Sequence, residues 1–221
     1  MSHVTYKYIK SNPDINTYIT KSDEALRAIG YTEHSYAHVE KAAHTAHMIL
    51  TTLGFPERDA ELAAIAAYMH DIGNVVNRID HAQSGAVMAF RLLDNLSMPA
   101  HEIASIISAI GNHDEKTALP INAIAAALIL ADKTDVRRSR VRNTDVLTFD
   151  IHDRVNYAVE KSSLDFNEDN TALIMSITID TEISSVMEYF EIFLDRMVLC
   201  KKAAEYLGVH FGLKINGSNI L

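Results

Sequence analysis

The residues best placed to do chemistry are His70 and Asp71, an adjacent imidazole and carboxylate at the end of the apolar stretch LAAIAAYMHDIGNVV, residues 62–76. A charge drawn into an apolar interior costs several kcal/mol unless it is paired or bound to a metal. Ala63, Ala64, Ile65, Ala66, Ala67, Tyr68 and Met69 supply no partner. The pair therefore points to a cation held by nitrogen and oxygen together, with Gly73 expected to end the helix and let both side chains turn to one point.

Further ligands must come from elsewhere in the chain. His38 lies on a segment whose Val39, Ala42, Ala43, Ala46, Ile49, Leu50 and Leu53 form a stripe at helical spacing. Asp132 ends INAIAAALILAD, a run apolar on every side, so it emerges from the interior as His70 and Asp71 do. Two imidazoles and two carboxylates suit Mn, Fe, Co, Ni or Zn and leave coordination positions open.

The elements that must position these groups are mostly helices. Ser11 and Pro13 open a first helix to Ala28, and Thr32 is expected to cap a second that ends near Gly54. A third spans Glu57 to Asp71, a fourth Asp80 to Leu96 with His81 in its first turn. Pro99 starts a fifth that stops at Gly111, just before His113, and Pro120 starts a sixth. A further helix is expected from Ile151 to Ser162.

Beyond it, Leu173, Met175, Ile177 and Ile179 alternate with Ile174, Ser176 and Thr178 in strand fashion, after a turn at Asn167 to Asn170. Thr181 opens a long helix with a Met and Phe stripe, suited to core packing or a homodimer interface, and VHFGLKI reads as another strand. The expected fold is mainly α: a helical bundle with a small C-terminal antiparallel sheet and a long C-terminal helix. Residues 1–145 would form the metal-binding body and 146–221 an α+β subdomain packed on it as one domain.

The composition narrows the partners. With 221 residues and 48% hydrophobic residues the chain can bury one substantial core. A net charge of -9 argues against a nucleic-acid polymer or an anionic membrane and favours a small molecule. Cys200 is the single cysteine, the opening decapeptide lacks a signal peptide's apolar region, and no run approaches the ~20 residues that span a bilayer. A cytoplasmic setting is expected.

The ordered set HVEKAA at 38–43, AAYMHDIGN at 66–74 and LILADKTD at 128–135 resembles the HD superfamily of metal-dependent phosphohydrolases. The resemblance covers roughly Tyr31 to Arg142. It implies a helical bundle with one metal on His38, His70, Asp71 and Asp132. It also implies a possible second metal on His81 and His113, with Asp71 bridging, although His81 could instead be solvated or contact phosphate. Asn74 stands where family members often carry Lys or Glu, which leaves the general acid or base unassigned.

The basic residues after the last ligand, Lys133, Arg137, Arg138, Arg140 and Arg142, stand out in an acidic chain. Lys133, Arg137 and Arg140 share a face if the helix continues, and guanidinium groups suit a phosphate. They could equally complement a helix C-terminus or pair with acids. His34 could orient His38 or be an exposed cap residue, and Asp135 could support a ligand or touch substrate. His44, His47, His101, His152 and His210 have no comparable setting.

The implied activity is hydrolysis of a small anionic substrate, a nucleotide or phosphomonoester. A metal- and nucleotide-binding module without turnover, or a di-iron oxygenase of HD type, are the alternatives.

Overall fold

The computed structural model describes residues 4–221; the first three residues of the opening decapeptide lie outside the described residues. Helix α4, Glu57–Met69, sits at the centre, with every residue from Leu62 to Met69 buried. Its run of alanines explains this position, because small side chains let neighbouring helices approach on all sides. It packs against α3, Tyr36–Thr52, and α7, Ala123–Lys133, while α5, His81–Asn95, and α6, Ala100–Gly111, complete the layer around it. The helices α1, Tyr6–Ser11, and α2, Pro13–Ala28, close one side.

Several boundaries differ from the sequence expectation, each for a local reason. The first helix divides at Asn12, whose side chain accepts from the Asp14 and Ile15 amides and so starts a new helix. Helix α3 starts at Tyr36 rather than after Thr32, because the amides of residues 33 and 34 are already engaged elsewhere: that of Glu33 donates to the Arg140 carbonyl and that of His34 to Asp23. Asn122, not Pro120, caps α7 by accepting from the Ala125 amide at 2.7 Å.

Helix α4 stops at Met69, and the chain tightens through Asp71 into a 3-10 turn at Ile72–Val75. Gly73 does not act there as a left-handed terminator. A Cβ on it would collide with the His81 carbonyl and the Gly85 amide, so the glycine is what lets α5 sit directly on this turn.

In the C-terminal third, α8 ends at Ala158 instead of Ser162 and passes straight into β1, Val159–Phe166. β2, Ala172–Ile179, follows the expected hairpin, with Leu173, Met175, Ile177 and Ile179 buried on one face. Then come α9, Val186–Tyr206, β3, His210–Ile215, and β4, Ser218–Asn219, in sheet order β1-β2-β3-β4.

The expected sheet was antiparallel throughout, but β2 and β3 are parallel, with Ala172 opposite His210 and Ile177 opposite Ile215. Helix α9 is the cause: it carries the chain back along the sheet between the two strands, as a crossover must. The same helix packs against α7, and its buried Phe193, Met197, Cys200 and Ala203 join one continuous apolar cluster with the helical body. The expected stripe is only partly core, since Met187, Leu194 and Val198 remain exposed. No helix among the described residues is long and apolar enough to cross a membrane.

Candidate metal centre

Six side chains from five places converge in the body. His38 comes from α3, His70 and Asp71 from the end of α4, His81 from the first residue of α5, His113 from just past α6, and Asp132 from the last turn of α7. His38 Nε2 lies 3.3 Å from Asp132 Oδ1 and 3.8 Å from Asp71 Oδ2. His70 Nε2 lies 3.1 Å from Asp71 Oδ2 and 3.6 Å from Asp132 Oδ1. On the far side, His81 Nε2 is 3.7 Å from Asp71 Oδ1 and 3.2 Å from His113 Nε2. All are buried except Asp132, whose side chain is 12% exposed.

The four imidazoles are held in one tautomer. His70 Nδ1 donates to the Ala67 carbonyl at 2.7 Å, His81 Nδ1 to that of Arg78 at 3.1 Å and His113 Nδ1 to that of Ile110 at 2.6 Å. His38 Nδ1 donates to Asp135 Oδ2 at 2.8 Å. A carbonyl or carboxylate only accepts, so each Nδ1 carries the proton and each ring turns Nε2 inward, with its lone pair free whenever the ring is neutral. This is the arrangement a metal-binding imidazole requires.

The electrostatics ask for positive charge at the same point. Burial disfavours a charged His70, yet the carboxylates of Asp71 and Asp132 outweigh it and raise its pKa to about 10. Asp71 and Asp132 are held well below the usual carboxylate range despite burial, the first by His70 and the second by Lys133 and His70. His38 Nε2, His70 Nε2 and Asp71 Oδ2 are buried without a hydrogen-bond partner. Orphaned acceptors of this kind fit a divalent ion.

Three overlapping sets can each hold one: His38, His70 and Asp71; His70, His113 and Asp132; and Asp71, His81 and His113. Within each set the ligand atoms lie within 4.8 Å of one another. Asp71 turns Oδ2 to His38 and His70 and Oδ1 to His81, so its two oxygens face different sets.

Around this centre the structure assigns partners that sequence reading left open. Asp135, 1% exposed, anchors His38 and is itself surrounded by Lys41 Nζ at 2.7 Å, Arg137 Nε at 3.0 Å and Arg140 Nη1 at 3.8 Å. His38 and these cations outweigh burial and depress its pKa. His34 does not orient His38 by a hydrogen bond; its Nδ1 donates to the Thr32 carbonyl, and the two rings meet edge to face at 5.5 Å.

Helix α7 ends at Lys133, so Lys133, Arg137 and Arg140 share no helical face. Arg137 also reaches Glu33, and Arg140 is buried with its guanidinium on the Glu33 and Asp135 carbonyls. Arg138 bonds the Tyr157 carbonyl, and Arg142 pairs with Asp23. Lys133 stays at the centre, 2.7 Å from Asp132 Oδ2 and 3.6 Å from Glu115 Oε1.

Sequence reading missed Glu115 as a partner of Lys133, Arg196 of α9, which pairs with Glu115, and Arg78, which lies 3.3 Å from His81 Nε2. Glu115, Lys133 and Arg196 meet only through separate elements, and nothing in the local pattern singles out Arg78. His47 pairs with Glu57, and His44, His101, His152 and His210 are exposed, all away from the centre.

Residues 35–137, a span that contains all six converging side chains, match the family model of the HD domain. That stretch, a little under half of the chain, is therefore similar to an HD domain, and the His and Asp clusters within it could hold a metal ion. The uncharacterized protein MJ1020 of Methanocaldococcus jannaschii is 26% identical over 159 residues, which are 62% of this chain and 61% of that relative. The similarity thus spans less than two thirds of the relative's length. A crystal structure of a predicted HD superfamily hydrolase from an uncultured Thermotogales bacterium aligns with 22% identity and a TM-score of 0.43, over 59% of this chain and 73% of that one.

Proposed function

We propose that this protein is a cytoplasmic metal-dependent phosphohydrolase acting on a small phosphate ester, a nucleotide or phosphomonoester. The observation that carries the reading is the convergence of four Nε2 atoms, each tautomer fixed from outside, on the carboxylates of Asp71 and Asp132. His38, His70, Asp71 and Asp132 would hold one divalent ion, and His81 and His113 with Asp71 a second. Such ions activate water and offset charge on a phosphoryl oxygen.

The chain's own contribution is positional. Asp135 fixes the ring of His38, the Ala67 carbonyl that of His70, and Asn74 the carboxylate of Asp71 through a 2.9 Å bond to Oδ1. Lys133, buried between Asp132 and Glu115, places a positive charge beside the centre that would help offset the charge of a substrate phosphate. Arg137 and Arg140 act through Asp135 and Glu33.

The test is metal analysis of the purified protein together with phosphate release from p-nitrophenyl phosphate and nucleoside monophosphates across Mn, Fe, Co, Ni and Zn. His70→Ala and Asp132→Ala should lose bound metal and all release. Undiminished turnover in metal-free buffer would exclude the reading. The presence of both His81 and His113 beside Asp71 also favours a second reading, oxygen activation by an iron pair. Oxygen uptake by the iron-loaded protein without phosphate release would select it.

A further inference from the structure

Among the described residues, the cations near the centre are paired with acids, with one exception. Lys133 meets Asp132 and Glu115, Arg196 meets Glu115, and Arg137 and Arg140 meet Asp135. Arg78 has no carboxylate within ion-pairing distance among the described residues. Its Nη1 lies 3.2 Å from Asn74 Oδ1 and 3.3 Å from the neutral acceptor His81 Nε2, and its guanidinium carbon sits 5.4 Å above the Tyr31 ring. Those hydrogen bonds engage Nη1 alone, so the donors of Nε and Nη2 stay available on a half-buried side chain.

Asn74 makes this placement possible. Its Nδ2 donates to Asp71 Oδ1 and to the Asp71 carbonyl, both at 2.9 Å, while its Oδ1 accepts from Arg78. An amide can donate toward a carboxylate and accept from a guanidinium at once, which neither a carboxylate nor an ammonium can do. A carboxylate at position 74 would oppose Asp71, and an ammonium would oppose Arg78.

We propose that Arg78 binds the phosphate dianion of the substrate beside the metal centre, and that Asn74 is the positioning residue that ties this guanidinium to the ligand Asp71. The proposal rests on the phosphohydrolase reading and narrows it. A fork of planar donors matches a phosphoryl group with two or more free oxygens, so phosphomonoesters should be preferred to diesters. The Tyr31 face limits the swing of the guanidinium without neutralising it.

The test compares wild type with Arg78→Ala, Arg78→Lys and Asn74→Asp. Calorimetric titration of inorganic phosphate into each metal-loaded protein is run beside metal content and the KM and kcat for p-nitrophenyl phosphate. Loss of a charged hydrogen-bonded contact should weaken phosphate binding in Arg78→Ala about 10- to 100-fold. Metal content should hold, Arg78→Lys should recover part of the binding, and added methylguanidinium should restore part of it to Arg78→Ala. Asn74→Asp should raise KM in the same direction.

Phosphate binding in Arg78→Ala equal to wild type, or lost only in proportion to lost metal, would overturn the proposal. So would a metal-loaded wild type that binds no phosphate. If wild type binds phosphate but hydrolyses no ester, the hydrolase reading fails while the binding ratio still decides the role of Arg78.

Discussion

Asp135 shows how far the centre depends on a residue that need not touch an ion. Its carboxylate is completely enclosed, holds the ring of His38 and neutralises Lys41, Arg137 and Arg140. Asp135→Asn keeps the shape but removes the charge that makes His38 a strong donor. Metal affinity should fall about 10- to 100-fold. Thermal unfolding should show a loss on the order of 3 kcal/mol, because the buried Arg140 loses its counter-charge. Unchanged metal titrations and melting would remove Asp135 from the account. At this scale the sequence is partly legible. His70, Asp71 and Asp132 stand where apolar runs meet their first polar groups, and that contrast is visible in one dimension. Asp135 acts through His38, distant in the chain, and Arg78 through Asn74 and His81 close by, and no local contrast in polarity marks either.

Among the elements, the contact of the 3-10 turn with the start of α5 sets the position of His81. Gly73→Ala would push the His81 carbonyl and the Gly85 amide away, and backbone cannot yield as a side chain does. We expect a loss of about 1–3 kcal/mol or more in denaturant unfolding, with weakened metal binding on the His81 side before the His38 side. A variant as stable as wild type would show that the turn and α5 are not so tightly joined.

The start of α9 offers a pH test. Glu188 completes a capping box with Ser185 and also meets Arg154, and these contacts lower its pKa to about 2 from the ordinary 4.5. A depressed carboxyl pKa means that its stabilisation is full above 4.5 and is lost as pH falls toward 2. Glu188→Gln should therefore flatten the acid limb of a urea-midpoint profile in that window and leave the slope at neutral pH unchanged.

Helix cores were legible from their spacing, whereas their ends depended on caps such as Asn122 and on the pinning of residues 33 and 34. The parallel pairing of β2 with β3 could not be read from alternation, which is the same in either direction.

In the whole molecule, α9 joins the sheet to the helical body, and one apolar cluster runs from Val4 to Ile215. The division expected at residue 145 thus falls between elements whose buried faces meet in one core. On the proposed reading, metal binding and folding would be linked, because the candidate ligands of α3, α4 and α7 are brought together only when the body is folded. An ion at 100 times its dissociation constant should add about 2.7 kcal/mol of stability, so chelation should lower Tm and added metal restore it. His70→Ala should melt at the same temperature with and without metal.

The most direct test is anomalous diffraction at the absorption edge of the bound metal. The account predicts a peak within about 2.0–2.2 Å of the Nε2 atoms of His38 and His70 and of carboxylate oxygens of Asp71 and Asp132. A metal-loaded crystal whose anomalous peak lies elsewhere, with those four side chains bonded only to water and one another, would contradict it.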